Sequence, residues 1–540
     1  MDHVHVDGSE VQVEEGAGTL LDLLREQGCT AVKDGCSPQG QCGCCTVLVD
    51  GAPRVACVTP ARRVVGRRVV TFDGLDDEVR DRWTAAVLAT GASQCGFCTP
   101  GIVVRLEGAR SAGKDLTDRA VVDRALAAHL CRCTGWATLE EAAAQVAAGT
   151  PVALRSGPEL EAAGRRASLE LGAPQHAGPD VVAGRAGFSV DTVPPGALVA
   201  VPDPSWSGAD VTDPAGWVVA DTVAAARALA GKVQGRRTTL TAGPPLELPS
   251  GDWAASLRTS WVDPAYLETD ASWCEPGGEP SSPAANGGAF GAKRHSPVPA
   301  AARRLAGHHG RPVLAVWSRE DVVRLGAKRP PVAGGVLPDG TGVLRVVRTA
   351  GVADAVAAVA PGLVVEEVDL PGPPTSAAVR AAGWAEAAVL LAGAGASSPT
   401  VVLGHDGAVT VAPPGRGAAT VRLAGDGTVE VLVDAGDPLD AVTLRSYCVG
   451  AVHMALGWVR SESLAVDTEG VVHDLTIRSF GVLRAADMPQ VQVVLDGPGT
   501  GSGEPRPVAD SVFAATAAAL WLALGTPRDW PTGSSPGPAV

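Results

Sequence analysis

The chain has 540 residues, of which 46% are hydrophobic and 19% charged, and its formal net charge is -15. A length of this order predicts three or four domains, at about 150 residues per domain. The negative balance is not offset by any basic run, so a phosphate backbone would be repelled and we predict no nucleic-acid partner.

The N-terminus shows neither an export signal nor a membrane anchor. Residues 1–15 lack a basic segment followed by an apolar core, and they begin directly in strand-like alternation. The Ala-rich stretch 512–525 is short for a bilayer. We predict a cytoplasmic protein with no membrane partner. Its twelve cysteines, most of them two or three positions apart, therefore indicate metal binding rather than disulfides.

The first predicted domain, residues 1–75, begins with two strands and a helix. Residues 3–6 and 9–13 alternate around Asp7-Gly8, which predicts a hairpin. Thr19 and Asp22 form a capping-box pattern, and the leucines after Thr19 predict a helix that ends at Gly28.

The loop after this helix carries closely spaced cysteines, namely Cys36, Cys42, Cys44 and Cys45, and Cys57 is expected on the next strand. Four thiolates from such a loop can surround a two-iron cluster, in which each iron takes two thiolate ligands. Plant-type ferredoxins use C-x4-C-x2-C, whereas the first spacing here is C-x5-C. Because Cys42 and Cys45 keep the second spacing, Cys44 is interpreted as a small space-filling residue. A zinc site is the alternative, but zinc sites usually pair two C-x2-C knuckles.

The second predicted domain, residues 76–150, is a four-helix unit. The predicted helices cover residues 78–91, 101–112, 117–130 and 138–148, with Thr117 opening the third and a Thr138–Glu141 capping box opening the fourth. Two turns at helix ends carry the motifs QCGFCTPG, which starts at Gln94, and CRCTGW, which starts at Cys131. Helix ends supply free N–H groups that stabilise a buried anionic cluster.

The three cysteine motifs, in this order, resemble the iron-sulfur subunit of the xanthine dehydrogenase, aldehyde oxidase and carbon monoxide dehydrogenase family, the molybdenum hydroxylases. The resemblance covers residues 1 to about 150. It implies that Gln94 hydrogen-bonds a pterin and that eight cysteines ligate two [2Fe-2S] clusters. The outer cluster would use Cys36, Cys42, Cys45 and Cys57, and the inner cluster Cys95, Cys98, Cys131 and Cys133.

The remainder of the chain resembles a shortened molybdopterin-binding large subunit. Residues 151–180 lack a sustained apolar period and are predicted to be a linker, followed by a mixed α/β region over 181–540. The segment GGAFGAK resembles a family loop that lies against molybdenum and its pterin. This assigns cofactor binding to Gly287, Gly288, Ala289, Phe290 and Gly291.

Two further residues are assigned to catalysis by resemblance. Arg380 resembles an arginine near the substrate pocket, although a solvated arginine at a helix start is an alternative. Glu504, in Gly501-Ser-Gly-Glu504, resembles the general base of the family, although a helix-start carboxylate is an alternative.

The expected fold is therefore α+β and multidomain, with a β-grasp ferredoxin domain, a helical cluster domain and a molybdopterin-binding-like region. The resemblance implies hydroxylation of a small-molecule substrate, an aldehyde or N-heterocycle, with oxygen from water. No segment resembles a flavin domain and no G-x-G-x-x-G joins a strand to a helix, so we predict no FAD in this chain. We therefore predict an external electron acceptor, an FAD-containing subunit or another protein.

A second interpretation follows from a departure from the family pattern. Family large subunits carry a Gln-Gly loop before their C-terminal motif, and no Gln-Gly pair occurs between Gly383 and Ser446. The alternative is thus an electron-transfer or assembly subunit whose molybdopterin region no longer binds metal.

Overall fold

The computed structural model describes residues 2–206, 210–231, 233, 240, 243–284, 288–495 and 503–533. These described residues form four β-sheets with helices packed against them. This architecture confirms the predicted α+β class.

The N-terminal sheet holds the first cysteine loop. Its strands and helix are β1 (Asp2–Val6), β2 (Ser9–Val13), α1 (Leu20–Glu26), β3 (Thr46–Val49), β4 (Ala52–Val55) and β5 (Arg68–Val70). The strand order is β2-β1-β5-β3-β4, with β1 antiparallel to β2 and parallel to β5. The hairpin at Asp7-Gly8 and the capping box of Thr19 with Asp22 are confirmed. The prediction that Cys57 lies on a strand is wrong, because Cys57 lies in a 3-10 turn directly after β4.

Four helices follow, as predicted: α2 (Asp77–Thr90), α3 (Thr99–Ser111), α4 (Arg119–Leu126) and α5 (Ala137–Ala148). Two predicted helix starts are wrong. Helix α4 is capped by Asp118, whose carboxylate accepts from the N–H of Ala120, and not by Thr117. Helix α5 starts before Thr138, so no capping box of Thr138 with Glu141 forms there.

The segment predicted as a linker, 151–180, contains helix α6 (Pro158–Leu171) and the start of α7 (Pro179–Val182). Helix α6 packs against the long C-terminal helix 441–460. It also buries an ion pair between Arg166 and Glu170. The sequence analysis did not predict this helix, because the face of α6 that contacts the protein carries the Arg166–Glu170 pair, which interrupts the apolar period.

The second sheet has the order β7-β6-β10-β9. It consists of β6 (Leu198–Pro202), β7 (Trp217–Ala220), β9 (Ala271–Cys274) and β10 (Val313–Val316), with helices α8 (Val223–Ala230), α9 (Val298–His309) and α10 (Arg319–Leu325).

The third sheet has the order β13-β12-β11-β8-β19. Its elements are β8 (Ala255–Thr259), β11 (Val332–Val336), β12 (Gly342–Val347), α11 (Val352–Val359), β13 (Leu363–Val368), α12 (Trp384–Gly393) and β19 (Asp529–Trp530).

The fourth sheet and two long helices complete the fold. They are β14 (Val401–Leu403), β15 (Val409–Val411), β16 (Ala418–Leu423), β17 (Val429–Asp434), α13 (Ala441–Arg460), β18 (Val491–Val494) and α14 (Ala509–Ala523). Helix α14 packs on both α12 and α13, and all three helices are buried over most of their length. None of the described helices is both long enough and apolar enough to cross a bilayer.

We predict that the buried His453, in helix α13, makes the folded protein less stable in acid. Burial lowers the pKa of His453 from 6.5 to about 3. Between these two values the unfolded chain binds the proton more tightly, so unfolding becomes easier as pH falls through this window. We expect His453→Gln to reduce the stability lost between pH 7 and pH 5 by on the order of 1 kcal/mol. Urea unfolding at both pH values measures this, with the exposed His405→Gln as control. Equal pH dependence in wild type and His453→Gln would show that His453 does not contribute.

Candidate redox and cofactor site

The four thiols assigned to the outer cluster converge in the structure. Cys36, Cys42, Cys45 and Cys57 are all buried. The Cys36 thiol lies beside those of Cys42 and Cys57, and the Cys57 thiol also lies beside that of Cys45. Together the four thiols form one connected group, as two irons with two thiolate ligands each require.

Backbone N–H groups also point at these sulfur atoms. Gln39 and Gln41 place their N–H groups 3.3 and 3.5 Å from Cys36 Sγ, and the N–H of Cys57 lies 3.4 Å from Cys45 Sγ. The thiols of Cys42 and Cys57, followed by these N–H groups, lower the pKa of Cys36 well below its usual value. Cys36 is therefore favoured as a thiolate, the form that binds iron, while its interaction with Cys42 and Cys57 raises the pKa values of those two thiols.

Cys44 is buried beside the same group. A Cβ on Gly35 would lie 3.1 Å from Cys42 Sγ and 3.2 Å from Cys44 Sγ, so both sulfur atoms face one glycine. These distances alone do not show which of Cys42 and Cys44 is the ligand. The assignment of Cys44 as a space-filling residue stays a prediction, which the C-x2-C spacing of Cys42 and Cys45 supports.

The inner thiols form two pairs. Cys95 and Cys133 lie 3.6 Å apart between their sulfur atoms, and the Cys98 thiol lies beside that of Cys131. Hydrogen bonds from the Cys98 thiol and from Thr134 lower the pKa of Cys131 to about 6. Two thiol pairs match the two irons of a [2Fe-2S] cluster. Over the described ranges, no three His, Cys, Asp or Glu side chains surround one point as a single metal ion requires.

Backbone geometry positions the inner loops. Gly96, between the two cysteines of QCGFC, has φ +80°, and a Cβ there would lie 2.2 Å from the carbonyl oxygen of Val181. Only glycine fits this position. Trp136 ends the CRCTGW loop with φ 70°, and its indole N–H donates to the carbonyl of Leu483 at 3.3 Å. The C-terminal half of the chain thus holds the inner loop in place.

A buried lysine lies between the two cysteine loops. Lys33 precedes Cys36 by three residues and forms an ion pair with Asp191. Its Nζ lies 4.8 Å from the ring centroid of Phe188 and 5.9 Å from that of Phe97, which lies between Cys95 and Cys98. The ion pair holds Lys33 beside Phe97, the residue between Cys95 and Cys98. The sequence analysis missed this residue, because neither aromatic contact is local.

A second buried ion pair joins the inner loop to the C-terminal half. Arg132, between Cys131 and Cys133, donates to both carboxylate oxygens of Glu462 at 2.6 and 2.5 Å and to the carbonyl of Pro264 at 3.1 Å. The side chains of Arg132 and Glu462 are only 3% and 1% exposed. A bidentate pair of this kind fixes the orientation of the loop.

Residues assigned to the pterin contact Cys133, one of the cysteines assigned to the inner cluster. The Gln94 side-chain amide donates to the carbonyl of Cys133 at 2.9 Å and to the hydroxyl of Ser446 at 3.0 Å. A Cβ on Gly288 would lie 2.3 Å from Cys133 Sγ, so glycine is required there. Ala289 is buried, whereas Gly287 lies outside the described residues. The GGAFGAK loop and Gln94 therefore meet at Cys133.

Arg380 is also part of this region. It is 5% exposed, and its guanidinium carbon lies 4.7 Å from the ring centroid of Phe290. Its Nη1 lies 3.4 Å from Asp510, its Nη2 lies 3.2 Å from Met454 Sδ, and its buried Nε has no hydrogen-bond partner within the described part of the chain. The alternative of a solvated arginine is therefore wrong. The GGAFGAK loop packs closely on the segment that contains Ala378 and Arg380. At Gly291, a Cβ would lie 1.8 Å from the carbonyl oxygen of Ala378.

Glu504 lies on the surface. Its side chain is exposed, and helix α14 begins five residues later at Ala509. The start of α14 is occupied by the carboxylate of Glu170, which accepts from the N–H groups of Val508 and Ala509 at 3.0 and 2.9 Å. The alternative of a helix-start carboxylate thus applies to Glu170 rather than to Glu504.

Two family descriptions match the N-terminal part of the chain. Residues 4–62 match the 2Fe-2S iron-sulfur cluster binding domain, and residues 71–144 match the [2Fe-2S] binding domain. The chain is 38% identical over 132 residues to the nicotinate dehydrogenase small FeS subunit of Eubacterium barkeri, covering 24% of this chain and 83% of that protein. It is 40% identical over 135 residues to the xanthine dehydrogenase iron-sulfur-binding subunit of Escherichia coli O157:H7, covering 24% of this chain and 84% of that protein.

The chain belongs to the xanthine dehydrogenase family of molybdenum hydroxylases. It is an oxidoreductase of this family with two 2Fe-2S-binding domains. The whole chain also resembles the aldehyde oxidoreductase from Desulfovibrio desulfuricans ATCC 27774, with a TM-score of 0.68, 15% identity, and coverage of 96% of this chain and 97% of that one. At this identity the likeness beyond the cluster domains is one of fold.

Proposed function

We propose that the protein hydroxylates an aldehyde or N-heterocycle with oxygen from water and passes the electrons through both clusters to an external acceptor. The observation that carries this proposal is the contact of Gln94 and Gly288 with the inner ligand Cys133. A group bound beside this loop would lie next to the first electron carrier. Lys33 links the two loops, because it precedes Cys36 by three residues and its Nζ lies 5.9 Å from the ring centroid of Phe97.

The residues at this point fit part of what a molybdenum–pterin group needs. Gln94 offers an amide, Gly288 leaves the backbone free of a side chain, and Arg380 offers a buried donor atom without a partner. These three residues would hold the group. Bound there, it would supply the two-electron oxidation of substrate. Phe290 and Arg380, which stack on each other, would line its surroundings.

Glu504 is proposed as the general base, which accepts the proton of the water that supplies the oxygen. A general base must come within hydrogen-bond reach of that proton, so its exposed carboxylate would have to turn inward with substrate bound. We expect Glu504→Gln to lower turnover by roughly 10²- to 10⁴-fold. The measurement is substrate-driven bleaching of the iron-sulfur absorbance, with the exposed Glu469→Gln as control. Full activity of Glu504→Gln with bound cofactor would remove Glu504 from the mechanism.

The acceptor is proposed to be a flavin-containing protein that meets the outer cluster. Relatives of this chain are named as subunits, so they work with other chains. Val58, next to the ligand Cys57, is 57% exposed, and it contacts the cluster loop, since a Cβ on Gly40 would lie 2.8 Å from Val58 Cγ1. An exposed apolar side chain beside a redox centre suits a docking contact.

We expect Val58→Asp to slow electron transfer to a protein acceptor about tenfold, because a buried charge opposes docking. Oxidation of the dithionite-reduced protein by a purified flavoprotein, followed by stopped flow, measures this rate. Val402→Asp is the matched control, since Val402 is 55% exposed and lies on the distant strand β14. Ferricyanide oxidation should be equal in all three proteins. A flavoprotein rate unaffected by Val58→Asp would place the docking surface elsewhere.

The second candidate is an electron-transfer or assembly subunit without molybdenum. Two observations favour it, namely the exposed Glu504 and the contacts of Arg380 with Phe290, Met454 and Asp510. It differs from the first candidate in one measurable property, because it predicts iron without molybdenum after expression in a host that makes the cofactor.

A further inference from the structure

A cavity of about 480 Å³ lies beside the C-terminal end of helix α13. Its wall is formed by the turn between β16 and β17, by the segment that precedes β18, and by Leu456 and Arg460 of α13. Leu456, Val429 and Met488 are each at most 4% exposed, so much of the lining is apolar. The volume lies in the usual range for sites that bind small organic molecules.

Arg460 brings a buried positive charge to this wall. The residue is 8% exposed, and its guanidinium forms no ion pair with a carboxylate of the described residues. Its Nε is fully buried and has no hydrogen-bond partner in the same part of the chain. Burial lowers the pKa of Arg460. A charge buried in this way is costly unless a group of opposite charge compensates it.

The terminal nitrogens of Arg460 are the donors that the cavity offers. Nη1 and Nη2 form no hydrogen bond within the described ranges, and unlike Nε they are not fully buried. The negative end of α13 favours a cation at this position, but it leaves these N–H groups without an acceptor. Gln490 is exposed in the same wall, and its side-chain amide adds further donors.

Two carboxylates also line the cavity, but neither pairs with Arg460. Asp487 accepts from the Arg484 guanidinium at 2.9 and 3.0 Å, through both of its oxygens. Asp426 is exposed, and its Oδ1 accepts from the backbone N–H of Thr428 at 2.9 Å. The first carboxylate is therefore neutralised by its own arginine and the second is solvated, so the charge of Arg460 stays uncompensated inside the wall.

We propose that this cavity binds a small organic molecule that carries an oxyanion group, a carboxylate or a phosphate, at Arg460. Two oxygens of such a group match the two terminal nitrogens of a guanidinium. The apolar part of the molecule would pack on Leu456 and Met488. Gln94, Gly288 and Arg380 do not line this cavity, so the site is separate from the one beside Cys133 and does not rest on the proposed function.

Calorimetric titration of the full-length protein tests the proposal without turnover. The probes are benzoate, phenyl phosphate and the uncharged benzamide. We expect at least one anion to bind about tenfold more tightly than benzamide, because a charge-assisted hydrogen bond contributes more than a neutral one. The tighter of the two anions identifies the oxyanion group. Equal binding of all three probes, or binding of none, would overturn the proposal.

Arg460→Met locates the binding. It removes the charge and keeps an apolar side chain of similar reach, so we expect it to weaken the preferred anion about tenfold or more and to leave benzamide unchanged. Arg165→Met is the matched control, because Arg165 is exposed on helix α6 and lies outside the cavity wall. The control should bind the anion like wild type.

Ala486→Glu tests the same site without removing a buried side chain. Ala486 is exposed and lines the cavity, so the new carboxylate would compete with the anion for Arg460. We expect anion binding to weaken about fivefold, and this variant decides the question if Arg460→Met does not fold. An anion that binds both variants as tightly as wild type binds elsewhere, and that result would overturn the proposal.

Discussion

Replacing Cys131 with serine is expected to remove the inner cluster and leave the outer one. Cys131 is paired with Cys98, and its pKa is lowered to about 6, so it is set up as a thiolate ligand. The two cysteine groups come from separate domains, so Cys42→Ser should remove only the outer cluster. Each variant should lose about half of the iron and a different electron paramagnetic resonance signal, because each cluster holds two irons.

Cys44→Ser is the matched control for both variants. Cys44 is as buried as the ligands and lies beside Cys42, but it falls outside the C-x2-C spacing. We expect it to keep all of the iron and both signals. Loss of the same signal in Cys42→Ser and Cys131→Ser would contradict two separate clusters. Loss of iron in Cys44→Ser would show that Cys44 is a ligand in place of a neighbouring cysteine.

Replacing Glu462 with glutamine is expected to destabilise the protein by about 3–5 kcal/mol. The substitution leaves the guanidinium of Arg132 buried without its charged partner, and an uncompensated buried charge is costly. The inner cluster should also become easier to lose, because Arg132 lies between two of its ligands. Urea unfolding, followed by circular dichroism and by cluster absorbance, measures both effects.

Two further variants separate this cost from a general effect of losing an ion pair. Glu141→Gln breaks the half-exposed pair with Arg445 and should cost about 1 kcal/mol or less. Replacing both members of the buried pair, Arg132→Met with Glu462→Leu, should recover much of the lost stability, because no buried charge is left unpaired. A similar cost for Glu462→Gln and Glu141→Gln would contradict the structural role given to the buried pair.

Local chemistry explains which parts of the fold could be predicted. The hairpin at Asp7-Gly8, the capping box of Thr19 with Asp22 and the cysteine motifs depend on residues a few positions apart. Their spacing is readable in the sequence because iron-sulfur ligands come from tight loops. The predicted capping box at Thr138 failed because packing of Trp136 starts the helix one residue earlier.

Long-range contacts explain which features of the fold and the site could not be predicted from the sequence. Arg132 stands in a recognisable motif, but its partner Glu462 is 330 residues away in the chain. Helix α6 was hidden because its contact face holds the ion pair of Arg166 with Glu170 beside small residues. Family resemblance suggested Arg380 and Glu504, yet only the fold shows that the first is buried against Phe290 and the second is exposed.

The measurement that tests the central claim most directly is elemental analysis for iron, molybdenum and zinc, with a pterin assay, on protein purified anaerobically from a host that makes the cofactor. Two [2Fe-2S] clusters and a molybdenum–pterin group predict about four irons and about one molybdenum per chain, with no stoichiometric zinc. Four irons without molybdenum or pterin would contradict the hydroxylase proposal and favour the electron-transfer subunit. Zinc in place of iron would contradict the clusters themselves.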